Sequence, residues 1–136
     1  MHNFLTISEA TSIAIHSLAF IARDNSYSNA TNIANSANFS RNHLSKILQL
    51  LTKHGYLMSE RGPSGGFKML KPASEITILE IFDLIDGNHE ATKCAKNGNS
   101  CSFPVCVYGD IIQKANIMLT DYFRTRTIAD IINNKS

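Results

Sequence analysis

Residues 59–71 read Ser59-Glu60-Arg61-Gly62-Pro63-Ser64-Gly65-Gly66-Phe67-Lys68-Met69-Leu70-Lys71, and they settle how the rest of the chain is read. The run Gly62-Pro63-Ser64-Gly65-Gly66 is a tight turn, because glycine takes backbone angles that a residue with a Cβ resists. Tyr56, Leu57 and Met58 lead into it, and Phe67, Met69 and Leu70 lead out, so the stretch is a β-hairpin. The hairpin is basic and directly follows an amphipathic helical pattern from Ser40 to His54. A helix followed by a basic, glycine-tipped hairpin is the layout of a recognition helix with a wing, and it predicts a surface shaped for double-stranded DNA.

Upstream, Phe39 and Ser40 make a turn, and Ser40 is placed to cap the helix that follows. Leu44, Ile47, Leu48 and Leu51 form its apolar stripe, while Arg41, Asn42, Ser45, Lys46 and Gln49 lie off it. A shorter helix is predicted over Asn29 to Asn38, with Ile33, Ala34 and Ala37 facing the core. Two helices joined by a short turn, the second polar on its outer face, form a helix-turn-helix. Before them, Ile13, Ala14, Leu18, Ile21 and Ala22 recur at helical spacing between Ser8, a candidate N-cap, and Arg23.

Downstream, helix resumes from Ile76, with Ile78, Leu79, Phe82 and Ile85 as a stripe and Gly87 as C-cap. Asn88 to Pro104 is polar and aperiodic. Val105 to Arg124 then predicts a helix of about 20 residues, roughly 30 Å long, whose apolar residues Val107, Ile111, Ile112, Ala115, Met118, Leu119, Tyr122 and Phe123 cover more than one face. Such a helix on so small a domain is expected to bury one face against a second copy. A short helix from Thr127 to Ile132 closes the pattern. The expected fold is mainly α: a winged helix-turn-helix with a two-stranded wing over residues 1–87, a cysteine-containing loop over 88–104, and a long dimerisation helix plus a terminal helix over 105–136.

With 136 residues, 43% of them hydrophobic, the chain buries one modest core. No apolar run approaches the roughly 18 residues of a membrane span, and the N-terminus lacks a basic start, an apolar stretch and a cleavage site, so the expected location is cytoplasmic. The net charge of +2 conceals an asymmetry. Residues 40–71 hold six basic residues (Arg41, Lys46, Lys53, Arg61, Lys68, Lys71) against Glu60 alone, whereas the rest holds seven basic and ten acidic ones. A basic block centred on a helix and hairpin is the footprint of a phosphate-binding face; the bland alternative is a solvated charged surface. No paired-carboxylate, metal-hydrolase or nucleophile motif points to an enzyme. A redox or electron-transfer protein would have no use for the basic helix and hairpin.

Cys94, Cys101 and Cys106, spaced C-x6-C-x4-C, are the only cysteines. An odd count in a cytoplasmic setting disfavours structural disulfides. Three thiolates from one loop suit an iron-sulfur cluster or zinc, each wanting a fourth ligand; thiol redox switching and unreactive thiols stay open beside that reading.

Taken together, Ile13-Ala14-Ile15-His16-Ser17-Leu18, the segment from Ser40 to Leu51, the wing Arg61 to Phe67, the stretch Ile76 to Ile81, the three-cysteine loop and Thr127-Ile128-Ala129-Asp130-Ile131 resemble the Rrf-two family of bacterial winged-helix transcription regulators. The resemblance covers nearly the whole chain, and its specific part is the wing with the helix before it. It implies a homodimer that crosses two long helices on a partly palindromic operator. In the sensing members of the family, an iron-sulfur cluster sets operator affinity through its redox state, nitrosylation or loss. By position, Cys94, Cys101 and Cys106 match the cluster cysteines, and the implied cofactor is a 2Fe-2S cluster. The gaps of six and four depart from the family's common five and five, a difference that bears on cluster type. His16 lies near where some relatives place a non-cysteine ligand, with Ser12 replacing the acidic residue that others use; the alternative is a histidine bonded to backbone. Glu9 and His89 are further candidates by location. A cluster-free member sensing thiol oxidation or a small ligand is the alternative within the family.

For DNA, Ser40, Arg41, Asn42, His43 and Lys46 open the recognition helix, with Arg41 suited to guanine and Asn42 to adenine. Arg61 is the wing residue expected to enter a minor groove, beside Ser64 and Gly65 at the tip. Lys53, Lys68 and Lys71 are expected on phosphates. Leu44, Ile47, Leu48, Phe67 and Phe82 are expected in the core.

Overall fold

The computed structural model describes residues 5–87 and 102–133. Its elements in chain order are α1 (Glu9–Asp24), α2 (Ala30–Ala37), α3 (Arg41–Lys53), β1 (Leu57–Glu60), β2 (Gly66–Met69), a single 3-10 turn (Ala73–Glu75), α4 (Ile78–Asp86), α5 (Ile111–Thr125) and α6 (Ile128–Ile132). The mainly helical winged helix-turn-helix with a two-stranded wing is therefore present.

Local chemistry sets most of the boundaries. Ser8 caps α1 by accepting the Thr11 N–H, and Asn29 caps α2 by accepting the Asn32 N–H. Both helices end on an asparagine in the left-handed region, Asn25 and Asn38, the residue that tolerates that conformation best after glycine. Thr77 and Thr127 each close a reciprocal capping box, with Glu80 and Asp130. Ser40 stands at the N-cap of α3 as expected, but its hydroxyl makes no capping bond. The strands pair antiparallel in the register Leu57↔Met69, Met58↔Lys68, Ser59↔Phe67, Glu60↔Gly66.

A single core joins the helices to the hairpin. Ile13, Leu18 and Ile21 of α1 meet Ile33 of α2, Leu44, Leu48 and Leu51 of α3, Leu57 of β1 and Ile81 of α4, all fully buried or nearly so. Each such side chain contributes about 1.5–3 kcal/mol by leaving water. Ile47 belongs to this core, whereas Phe67 and Phe82 are half-buried at its edge. In α4 the buried pair is Ile78 and Ile81, so the stripe expected through Leu79, Phe82 and Ile85 is turned: those three are half-exposed.

The chain end returns to this core. Ile128 is fully buried, and two backbone bonds, Ile78 N–H to the Arg126 carbonyl at 2.8 Å and Ile128 N–H to the Ile76 carbonyl at 2.9 Å, tie the start of α6 to the start of α4. Helix α5 between them begins six residues later than Val105, the start expected from the apolar pattern. Gly109 has φ +66 inside a turn closed by its N–H on the Cys106 carbonyl, and that left-handed residue stops helix from extending backward. The 15 residues of α5 span about 22 Å. None of them is buried.

Candidate nucleic-acid interface

Burial of the Leu44–Leu51 stripe turns the other face of α3 outward. Ser40, Arg41, Asn42 and Lys46 are exposed, and His43 is half-exposed with Nδ1 3.8 Å from the Glu9 carboxylate. Because Ser40 does not cap, its hydroxyl and the first-turn N–H groups of α3 are both open to an incoming anion. Lys53, at the far end, is also exposed.

The wing follows three residues after α3. Its tip, Arg61 to Ser64, is exposed, and the Gly65 N–H closes the turn on the Gly62 carbonyl at 3.1 Å. A Cβ on Gly65 would overlap the Glu60 carbonyl, so the narrow tip requires glycine there. The wing is also braced by a segment that the hairpin pattern does not reveal. Ser28 and Phe67 exchange two backbone bonds, 2.9 and 2.8 Å, so the turn between α1 and α2 adds one bridge to the outer edge of β2. Gly66, at φ +136, lies so close beneath it that a Cβ would stand 2.5 Å from the Ser28 carbonyl oxygen. Tyr27 is thereby set against the wing, and the Lys68 ammonium lies 5.7 Å from its ring centroid.

Of the basic residues expected on phosphates, Lys71 is committed elsewhere. Its ammonium is 3.1 Å from Glu80 Oε1 and 5.4 Å from the Tyr56 ring centroid. Tyr56 donates to the same oxygen at 2.9 Å, while Glu80 Oε2 accepts from the Thr77 N–H and hydroxyl. Burial, then the Glu80 carboxylate, pushes the Tyr56 hydroxyl up to about 12. Burial alone would raise Glu80, but the bonds from Thr77, Tyr56 and Lys71 outweigh it and hold the carboxyl below its ordinary range. This cluster fastens the root of the wing to α4. At the other end of α4, Asp86 accepts from the hydroxyls of Ser8 at 2.8 Å and Thr11 at 2.7 Å, which fastens it to the start of α1. Neither tie is legible in the sequence, since the partners are 9 to 78 positions apart and no spacing rule links them.

Of the expected metal-ligating set, Cys94 and Cys101 lie outside the described residues, as does His89. Cys106 is exposed with a free thiol, just before the turn that leads into α5. His16 is exposed on α1, with Nδ1 2.6 Å from the Ser12 carbonyl oxygen and the ring edge-on to Phe39. A carbonyl only accepts, so Nδ1 is the donor in this bond. The histidine is bonded to backbone through Nδ1, and that bond does not involve Nε2. Among the described residues no group of three or more potential ligands converges. No described helix is long and apolar enough to cross a membrane.

Comparison with known proteins agrees with this geometry. Residues 7–134 match the model of the Rrf2 family, described as an iron-dependent transcriptional regulator. The chain is 30% identical over 135 residues to the HTH-type transcriptional regulator NsrR of Oceanobacillus iheyensis, covering 96% of this chain and 92% of that one. The solved structure of T. potens IscR superposes with TM-score 0.75 at 18% identity, covering 98% of this chain and 90% of the other. The oxidized form of Staphylococcus aureus CymR superposes with TM-score 0.72 at 18% identity, covering 94% and 96%. With the recognition helix, the wing and a family match across almost its full length, the chain belongs to the Rrf2 family of DNA-binding transcription regulators.

Proposed function

We propose that this regulator works as a homodimer whose affinity for a specific operator is set by an iron-sulfur cluster on Cys94, Cys101 and Cys106. The observation that carries the DNA part is the shared exposure of Arg41, Asn42 and Lys46 on α3 and of Arg61 at a glycine-shaped tip, all supported by a closed core beneath them. Base reading falls to the first turn of α3, minor-groove contact to Arg61, and phosphate contact to Ser40, Ser64, Lys53 and Lys68. The dimer reading rests on α5. Ile111, Ile112, Ile117 and Met118 are each more than half exposed there, and such a group of apolar side chains on one helix is unusual on the surface of a monomer.

For the cluster, the donor chemistry fits: Cys106 is an unpaired exposed thiol, and His16 is exposed with Nδ1 on backbone, a bond that does not involve Nε2. His16 is the candidate fourth ligand, supplied by the second protomer. When bound, a cluster of this kind supplies sensitivity to oxidants and nitric oxide. The chain's own part is to bind it through three thiolates from the segment between α4 and α5. Gly87 ends α4 there, directly after Asp86, so a change in that segment bears on the two ties that hold α4 to α1 and to the wing.

Anaerobic purification with visible absorption and iron and sulfide analysis tests this. Visible bands with near-equal iron and sulfide, lost in Cys94→Ala, Cys101→Ala or Cys106→Ala, are expected. Iron-free, colourless protein after anaerobic reconstitution would overturn the cluster. A second reading, sensing by thiol oxidation without a cluster, is favoured by the exposed free thiol of Cys106 and by the similarity to an oxidized CymR. Its mark is a colourless protein whose DNA affinity responds to peroxide.

A further inference from the structure

The basic block contains one acid, Glu60, next to the residue expected in the minor groove. Strand alternation puts Met58, Glu60 and Lys68 on one face of the hairpin. Gly66, opposite Glu60, offers no side chain to cover it, and cannot, because the Ser28 backbone fills the space a Cβ would need. The Ser28–Phe67 bridge brings Tyr27 alongside Lys68 on that face. There the Tyr27 hydroxyl lies on the Glu60 side of the hairpin, within the influence of the Glu60 carboxylate. Partial burial and that carboxylate both raise the Tyr27 pKa. Glu60 is exposed, so nothing about folding demands a carboxylate there.

We infer that Glu60 is a specificity-determining residue of the DNA-facing surface, a carboxylate positioned by Tyr27 at the edge of the wing to oppose indiscriminate attraction of phosphates to Arg61 and Lys68. This rests on the DNA-binding reading. Non-specific complexes are held by phosphate attraction alone and sample every register, including those that bring phosphate against Glu60. A like charge about 6 Å from a phosphate weakens such binding by roughly three-fold in water without salt and about two-fold near 0.1 M salt. An operator complex fixes one register through base contacts, in which Glu60 can lie clear of phosphate; repulsion aimed at the wrong complexes is how interfaces discriminate.

The test is fluorescence anisotropy of the full chain on a random-sequence duplex of about 30 base pairs across a salt series. Wild type, Glu60→Gln, Tyr27→Phe, the double variant and Asp83→Asn are compared, the last removing one exposed carboxylate from α4. Glu60→Gln is expected to bind about two-fold tighter near 0.1 M salt, and more at lower salt. Tyr27→Phe, which keeps the ring beneath Lys68, should shift the same way by a smaller factor. The double variant should match Glu60→Gln alone, because Tyr27 acts through Glu60. A Glu60→Gln affinity equal to or below wild type, an equal gain in Asp83→Asn, or additive effects of the two substitutions would each overturn the inference. Wild type that binds no duplex at any salt would instead overturn the DNA-binding reading, and this inference with it.

Discussion

Helices α3 and α5 are close in length, 13 and 15 residues, and both are amphipathic, yet they stand in opposite relation to the fold. The apolar stripe of α3 is consumed by the chain itself: Leu44, Leu48 and Leu51 are fully buried against α1, α2 and β1, and Ile47 nearly so. In α5 the comparable residues stay in solvent. Its main anchor is Phe123, stacked on Phe82 of α4 with ring centroids 4.9 Å apart. Where a helix buries its stripe internally, its polar face is fixed in space and can read another molecule. Where the stripe is left open, as in α5, it is the face on which the proposed second copy would pack. In the proposed function the two helices divide recognition from assembly, and α4, held at both ends, follows one and precedes the other in the chain.

The contrast is broken most directly by emptying one side of it. Leu48→Ala removes a fully buried side chain and should cost about 2–5 kcal/mol in urea unfolding of the whole domain. A loss below about 1 kcal/mol would mean that α3 is not part of a cooperative core. Ile112→Glu on α5 should instead leave helical content intact and weaken self-association at least ten-fold, read as a fall toward the 15.0 kDa monomer mass in light scattering. Unfolding of that variant, or an undiminished dimer, would count against α5 as the assembly surface.

A smaller effect separates reading from folding. Arg61→Ala, at an exposed wing tip, should lower duplex affinity a few-fold with no change in unfolding midpoint; unchanged affinity at moderate salt would remove the wing from the interface. The smallest effect is the pH dependence of the tie between wing and α4. The Glu80 carboxyl lies below its ordinary value of 4.5 when folded, so its contribution is present above that value and is lost as pH falls through the lower folded one. The Tyr56 hydroxyl is raised from 10.0 to about 12, so its contribution is full below pH 10 and is lost as pH climbs through 12. Glu80→Gln should flatten the acid limb of thermal stability, and Tyr56→Phe the alkaline limb, in calorimetry at matched ionic strength.

Short-range patterns are legible in the amino-acid sequence itself. Ser8, Asn29 and Thr127 announce helix starts, the Leu44–Leu51 spacing announces a buried face, and the glycines announce the wing. What periodicity misses depends on distance in the chain or on a single backbone angle. Gly109 makes α5 shorter than its apolar pattern because one left-handed residue outweighs several apolar ones in setting a helix start. Lys71 reads as a phosphate contact because charge is visible in sequence while its partner Glu80, nine positions on, is not marked as such. Tyr27 carries no signal of its own, since only the Ser28–Phe67 bridge brings it to the wing. For the candidate site, the exposed α3 and wing residues stand where helical and hairpin patterns put them, whereas Cys94 and Cys101 fall outside the described residues.

If two copies of this chain present two α3-and-wing surfaces to one DNA duplex, in vitro selection from a random duplex library with the full-length protein reveals it most directly. The expected result is enrichment of a motif with two half-sites related by a dyad, abolished together with dimer formation by Ile112→Glu. Recovery of a single unpaired half-site, or no enrichment over the starting library, would contradict it.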